Sequence, residues 1–316
     1  MAAALALGAR GRGRTAPNPN VGCLIVNGGR VVGRGWTQPG GRPHAEALAL
    51  AQAGALAQGA TAYVTLEPCA HESRRGPACA GLLVEAGVGR IVAALTDPDP
   101  RTAGRGLARL RAAGTDVVEN VLADQARQSM AGFFTRQALG RPTVTLKLAT
   151  SLDGMIARAD GESRWITGGR ARAHAHLERS RHEAILVGRG TWETDRPKLD
   201  VRLSGLEQRS PRILVLSSQG NVDGAEVIAN VADIAELDGV DHLLVEGGAG
   251  AASAFLGADL VDRLLLYRAP ILIGAGRAAL SDIGLNRLDD AHGRWRLDDA
   301  RMLGSDRLEV YQRQRS

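Results

Sequence analysis

One histidine and two cysteines, placed to meet a single metal ion, constrain this chain more than any other feature. Pro43-His44-Ala45-Glu46 opens an apolar helical run (Ala47, Leu48, Leu50), and a strand-like stretch from Ala62 to Leu66 leads into Glu67-Pro68-Cys69-Ala70-His71, with Cys79 shortly after. A borderline-soft dication takes imidazole and thiolate donors, and a catalytic zinc keeps about three protein ligands and one open position. His44, Cys69 and Cys79 supply that set. Glu46, two residues past His44, is expected to move protons, not to bind metal. Two cysteines in a helical chain are more often small buried hydrophobes. The helix-opening His-x-Glu and the strand running into Pro-Cys set this pair apart.

Together these pieces fit the H-x-E and P-C signature of zinc-dependent base deaminases, in which a metal-bound hydroxide attacks an amino-bearing ring carbon. The cysteine spacing departs from it: C-x-x-C is usual, whereas nine residues separate Cys69 from Cys79 here. A polar, basic insert from His71 to Pro77 fills that gap and is placed to touch substrate.

A length of 316 residues predicts about two domains, and 44% hydrophobic content is that of a globular chain. The formal charge of +5 is almost entirely arginine, with Lys147 and Lys198 the only lysines. Aromatic residues are 3%, and no basic run has interleaved aromatics of the kind that stack bases, which argues against a nucleic-acid partner. Three cysteines, two of them assigned to metal, leave no disulfide framework, so a reducing cytoplasm is expected. The short apolar N-terminus lacks a preceding basic region and runs into Arg10 to Arg14, predicting a first helix and no signal peptide. No stretch has the length to span a bilayer.

Cys23 to Val26, a turn at Asn27-Gly28-Gly29, and Arg30 to Arg34 predict a hairpin. Asn18, between two prolines, is either a turn former or an amide presented to a base. Strand and helix then alternate: Ala62 to Leu66, Ala80 to Ala86, Arg90 to Leu95, Gly106 to Ala113, Asp116 to Val118. That order argues for an α/β layer domain. The loop after residue 95 carries Asp97 and Arg101 at a strand's carboxyl end, either beside a ligand or in a solvated turn. An amphipathic helical stretch over 123–139 stops at Gly140-Arg141-Pro142, which places the boundary between domains 1–141 and 142–316. Thr143 to Ala149 alternates as a strand, with Lys147 on the face of Thr143 and Thr145. Asp153 lies in the next turn. Ala184 to Gly188 meets a glycine loop, Arg212 to Ser217 is a further strand, and His242 to Gly250 runs from strand into a small-residue helix. Glycines there either let a phosphate approach backbone N–H groups or serve helix-sheet packing. Arg263 to Arg268 and Pro270 to Gly274 read as further core strands. His174, His176 and His182, interleaved with arginines, read as a solvated helix face.

Seven runs carry a resemblance that covers nearly the whole chain in matching order: PNPNVG, HAE, TLEPCAH, DPDPRTAGRG, TLKLATSLDG, GESRWIT and VEGG. The chain resembles the bifunctional riboflavin-biosynthesis family that fuses a diaminohydroxyphosphoribosylaminopyrimidine deaminase to a 5-amino-6-(5-phosphoribosylamino)uracil reductase. The resemblance implies a cytidine-deaminase-like three-layer domain followed by a dihydrofolate-reductase-like α/β domain. It implies zinc and NADPH as cofactors, phosphoribosylaminopyrimidine substrates, and a homo-oligomer. By motif, Asn18 and His71 fall at the deaminase substrate. Lys147, Ser163, Arg179, Leu199, Arg202 and Glu246 fall at the reductase substrate. Ala149, Trp165, Thr167, Thr191, Asp195, Gly248, Ala249 and Gly250 fall at NADPH.

Two departures from the family pattern stand out. The insert carries Arg74-Arg75 where a Gly-Lys is usual, so one of these arginines is expected to meet the substrate phosphate. The stretch between Leu216 and His242 is short and holds no basic cluster for the cofactor's 2′-phosphate, which leaves a deaminase with an inactive, ligand-binding second half as the alternative. A nucleic-acid base deaminase and a non-enzymatic zinc module are the more distant readings.

Overall fold

Small residues let backbones approach closely, and that approach positions the metal-ligand helix. The computed structural model describes residues 1–71 and 76–315, which divide into two compact units, Met1–Gly140 and Arg141–Ser316. In the first unit the elements run α1 (Ala2–Gly8), β1 (Gly22–Asn27), β2 (Arg30–Trp36), α2 (Ala45–Ala53), β3 (Thr61–Val64), α3 (Cys79–Glu85), β4 (Arg90–Ala93), α4 (Arg105–Ala112), β5 (Asp116–Val118), α5 (Ala123–Ser129) and α6 (Ala131–Leu139). Among the described residues these strands form one sheet in the order β2-β1-β3-β4-β5, antiparallel at the hairpin and parallel from β3 onward. Its core gathers Ile25, Val64, Leu83, Ile91, Leu107, Leu110 and Met130.

The helix α2 presents Ala45, Ala49 and Ala53, one per turn, to the sheet. Opposite them β2 carries Gly33 and Gly35. A Cβ at Gly35 would stand 1.9 Å from the Ala45 carbonyl oxygen, and one at Gly33 would stand 2.1 Å from that of Ala49. Helix and strand therefore touch backbone to backbone, and His44 caps the helix at the end of that contact.

The second unit contains β6 (Thr143–Thr150), β7 (Met155–Arg158), α7 (Gly169–Arg179), β8 (Ala184–Gly188), α8 (Arg189–Asp195), β9 (Arg212–Leu216), β10 (Glu226–Ile228), β11 (His242–Val245), α9 (Ala249–Gly257), β12 (Arg263–Arg268), β13 (Gly276–Ala278), β14 (Trp295–Leu303) and β15 (Asp306–Arg313). Its main sheet has the order β10-β9-β8-β11-β6-β12-β15-β14, parallel as far as β12 and antiparallel beyond. The short 217–241 stretch still completes this sheet by adding β10. At the start of the unit, Arg141 grips Asp262 through two nitrogens at 2.7 and 2.9 Å, and Asp262 also accepts the Val144 amide. No helix among the described residues is long and apolar enough to cross a membrane.

Four expectations from the sequence change. The helical stretch over 123–139 breaks at Met130 (φ −107°, ψ 25°), whose fully buried side chain anchors the bend. The glycine loop after β8 is instead the helix α8. Pro270 to Gly274 is not a core strand: Leu272 is 75% exposed. There the amides of Ile273 and Gly274 point to the Asp153 carboxylate, so this run clasps the turn after β6. The histidines are not a solvated face. His182 is buried between the Glu178 carbonyl and Thr145 Oγ1, His174 meets the Tyr267 hydroxyl at 2.7 Å, and His176 meets the Asp200 carbonyl at 3.0 Å.

Replacing Gly35 with alanine puts a methyl group into the backbone of α2. Gly35→Ala is expected to lower the unfolding free energy by about 3 kcal/mol, the upper range for overpacking, as measured by chemical denaturation of the full chain. An unchanged denaturation midpoint would contradict the backbone contact.

Candidate functional site

Two helix starts and one loop bring the metal donors together. His44 stands at the N-cap of α2, Cys79 is the first residue of α3, and Cys69 follows the bend that leaves β3. His44 Nδ1 lies 3.7 Å from Cys69 Sγ and 3.3 Å from Cys79 Sγ, and all three donor atoms fall within 4.8 Å of one another. A tetrahedral zinc with Zn–N of about 2.05 Å and Zn–S of about 2.3 Å spaces its nitrogen and sulfur donors about 3.6 Å apart. The donor set therefore fits zinc in both chemistry and spacing.

The two thiols are pushed apart: Cys69 is favoured as the thiolate, while the hydrogen bond to Cys69 and burial push the Cys79 thiol up. The Cys79 amide, at the start of α3, donates to Cys69 Sγ at 3.2 Å. Hydrogen bonding from Cys79 holds the Cys69 thiol well below the usual range, against the cost of its burial. Behind the imidazole, the Asn18 amide lies 3.1 Å from His44 Nε2. The facing atom is the amide nitrogen, Nδ2; an imidazole that ligates through Nδ1 carries its proton on Nε2, and the Asn18 amide must then turn to offer its oxygen as acceptor.

Glu46 lies in the first turn of α2 and is buried beside Cys69 and Cys79. Burial pushes its carboxyl up to about 7, opposed by the His44 charge. The cavity in front of these groups has a volume of about 320 Å³, and Asn18, His71, Asp97 and Arg101 border it. His71 Nδ1 meets Thr102 Oγ1 at 3.3 Å. Burial, with the nearby Asp99 and Glu67 charges, pushes Asp97 up to about 6. Arg74 and Arg75, expected to include a phosphate contact, lie outside the described residues.

The sequence reading overlooked Glu67. Its buried carboxylate accepts four backbone N–H groups: Asp97 and Gly104 on Oε2 at 3.1 and 2.9 Å, Gly106 and Leu107 on Oε1 at 2.9 and 3.1 Å. One side chain thus ties the start of α4 and the Asp97 loop to the loop that carries Cys69. Gly106 permits this closeness, since a Cβ there would stand 2.0 Å from the Pro68 oxygen. Arg42, Asp99, Phe133 and Gln137 also border the cavity and were not singled out from the sequence.

In the second unit a cavity of about 350 Å³ opens at the carboxyl ends of β6, β8 and β11. It brings together Lys147, Ala149, Ser163, Thr191, Asp195, Glu246 and Gly248 from the expected set. Glu246 is the hub. Arg179 Nε and Nη2 donate to its two oxygens at 2.8 and 2.9 Å, and Lys147 Nζ stands 3.7 Å away. Burial alone would raise the Glu246 carboxyl, but Lys147 and Arg179 hold it down to about 2. Two cations on one carboxylate leave a net positive charge, suited to an anionic substrate.

Other expected residues stand back from this cavity. Leu199 is buried against Ile185 and Val187, Arg202 pairs with Asp200 at 3.3 Å, and the exposed Trp165 ring lies under Arg172. Thr167 accepts from Arg172 through its carbonyl, while Ala249 and Gly250 form the first turn of α9. Ile156, Thr194 and Arg277 also line the cavity and were missed; Arg277 comes from the small strand β13, which the sequence did not reveal.

A His-Cys-Cys donor set beside a buried glutamate, on a mixed sheet with helix N-termini at the metal, defines a zinc-dependent deaminase domain; here it is followed by a second α/β domain with its own ligand cavity. Residues 1–95 match the cytidine and deoxycytidylate deaminase zinc-binding region, and residues 142–308 match the RibD C-terminal domain. Over 97% of this chain and 96% of its own length, the riboflavin biosynthesis protein RibD of Escherichia coli is 40% identical. RibD of Mycobacterium tuberculosis is 40% identical over 94% of this chain and 91% of its own. The solved structure of Acinetobacter baumannii RibD superposes with a TM-score of 0.87 at 35% identity, covering 100% of this chain and 98% of that one. A Thermotoga maritima diaminohydroxyphosphoribosylaminopyrimidine deaminase/5-amino-6-(5-phosphoribosylamino)uracil reductase gives 0.85 at 29% identity over 99% and 97%. The chain belongs to the RibD family of riboflavin biosynthesis proteins.

Converting Glu67 to glutamine turns one acceptor into a donor facing amides that also donate. Glu67→Gln is expected to raise the KM of the first-unit reaction by about tenfold, as for a lost pair of charge-assisted hydrogen bonds, with zinc content retained. An unaltered KM with normal zinc would show that Glu67 does not set the Asp97 loop.

Proposed function

We propose that the chain is a two-site enzyme of riboflavin biosynthesis, acting on small-molecule substrates with zinc in the first unit and NADPH in the second. The first site hydrolyses the 2-amino group of 2,5-diamino-6-(5-phosphoribosylamino)pyrimidin-4(3H)-one: a C–N bond breaks, a carbonyl forms and ammonia leaves. The second reduces the ribosyl group of the resulting aminouracil to ribityl. The convergence of His44 Nδ1, Cys69 Sγ and Cys79 Sγ beside buried Glu46 carries this reading.

His44, Cys69 and Cys79 hold zinc, which when bound supplies Lewis-acid activation of water at neutral pH. Glu46 accepts a water proton on its carboxylate and returns it to the leaving amine. Asn18 keeps the His44 tautomer and faces the pyrimidine with His71. In the second unit bound NADPH supplies the hydride, and Ala149, Thr191, Asp195 and Gly248 border its place. Lys147, Ser163 and Glu246 orient the phosphoribosyl group, and Arg179 holds Glu246 ionised. In this reading Leu199 and Arg202 serve the substrate and Trp165, Thr167, Ala249 and Gly250 the cofactor, although they stand back from the cavity lining.

We further read the protein as a cytoplasmic homo-oligomer, divided functionally at residues 141 and 142. Reduced Cys69 and Cys79 suit a cytosol that keeps thiols free to bind metal. The edge strand β14 offers one unpaired rim with Leu297 and Met302 exposed beside it, a surface for a second copy of the chain.

Ammonia release and NADPH oxidation followed together test the account. With the diaminopyrimidinone ribotide, wild type is expected to give both signals. Glu46→Gln is expected to lose deamination by about 10²- to 10⁴-fold and yet oxidise NADPH when given the aminouracil ribotide directly. Ammonia without NADPH oxidation from wild type would remove the second activity, and full deamination by Glu46→Gln would remove Glu46 as proton carrier.

A further inference from the structure

The second-unit cavity continues past Thr191. Gly190 borders both this space and a more open groove of about 650 Å³, which lies over the carboxyl ends of β8 and β9 between Arg189, Glu193, Ser217, Gln219 and Asn230. Ligands of open parallel sheets bind at such strand ends. A dinucleotide needs two linked spaces, one for each nucleotide, and the groove supplies the second.

Among the described residues that border the groove, Arg189 is the one cation. Its guanidinium is held in place: Nη1 donates to Ser217 Oγ at 3.2 Å and to the Gln219 carbonyl at 3.3 Å, while Nε donates to Glu193 at 2.7 Å. The side chain remains 30% exposed, on the groove. Its planar fork suits a phosphate, whereas a carboxylate in the same place accepts from a ribose hydroxyl and repels phosphate.

We infer that Arg189, backed by Ser217, recognises the 2′-phosphate of the nicotinamide cofactor, and that Glu193 holds the guanidinium until the phosphate takes its place. The inference rests on the reading of the second unit as an NADPH-dependent reductase. It supplies the basic contact that the short 217–241 stretch lacks, and it does so from the β8–α8 junction. The Arg189–Glu193 pair then discriminates in both directions. With Arg189 present, the phosphorylated cofactor binds better; without it, Glu193 favours the free hydroxyl.

Calorimetric titration of the full-length protein with NADP⁺, NAD⁺, adenosine 2′,5′-bisphosphate and adenosine 5′-monophosphate tests this without turnover. Wild type is expected to prefer NADP⁺. Arg189→Ala is expected to weaken NADP⁺ and the bisphosphate by at least about tenfold, the effect of removing a charge-assisted contact, with NAD⁺ and the monophosphate unaffected. Arg189→Lys, which keeps the charge and loses the fork, is expected to fall between the two. Glu193→Gln is expected to retain or tighten NADP⁺ binding. A wild type that prefers NADP⁺ and an Arg189→Ala protein with the same preference would overturn the inference and leave the reductase reading standing. Binding of neither dinucleotide by wild type would remove the reductase reading, and the inference with it.

Discussion

Three donor atoms held within 4.8 Å of one another, on two helix starts and a loop, set the terms for the first unit. Contacts within the chain hold those segments. Backbone contact between α2 and the glycines of β2 seats His44, and the Glu67 carboxylate seats the loop that carries Cys69 through four amides. The same carboxylate places the Asp97 loop at the cavity wall, so the Cys69 loop and the cavity wall are positioned by one group.

Glu246 plays the corresponding part in the second unit. It ends a fully buried strand, gathers Arg179 from α7 and Lys147 from β6, and keeps its charge at neutral pH because both cations face it. Each unit thus organises its cavity around one buried carboxylate, for different reasons. Glu67 orders backbone, whereas Glu246 orders charge. The near-total use of arginine elsewhere makes Lys147 informative: a compact ammonium fits beside Glu246 where Arg179 already occupies both oxygens.

Much of this was legible in the sequence because the chemistry is local. His44, Glu46, Cys69 and Cys79 occur in short runs whose residue types have few alternative uses, and the alternation of strands and helices gave the α/β order. Groups whose meaning depends on distant partners were not legible. Glu67 reads as an ordinary residue before Pro68 until the Gly104 to Leu107 amides arrive. Arg189 reads as a solvated arginine until the end of β9 lies beside it. The histidines of α7 were misread because helical spacing does not reveal which face meets the sheet. Pro270 to Gly274 was misread because an apolar run has the same composition whether it enters a sheet or clasps a turn.

The central claim is that His44, Cys69 and Cys79 together hold a zinc ion with room for one more ligand. Zinc X-ray absorption on the purified full-length protein tests it most directly. The account predicts one zinc per chain with two sulfur neighbours at about 2.3 Å and nitrogen or oxygen neighbours at about 2.0 Å. A zinc shell without sulfur, a shell of four protein ligands, or metal-free protein that deaminates at full rate would contradict it.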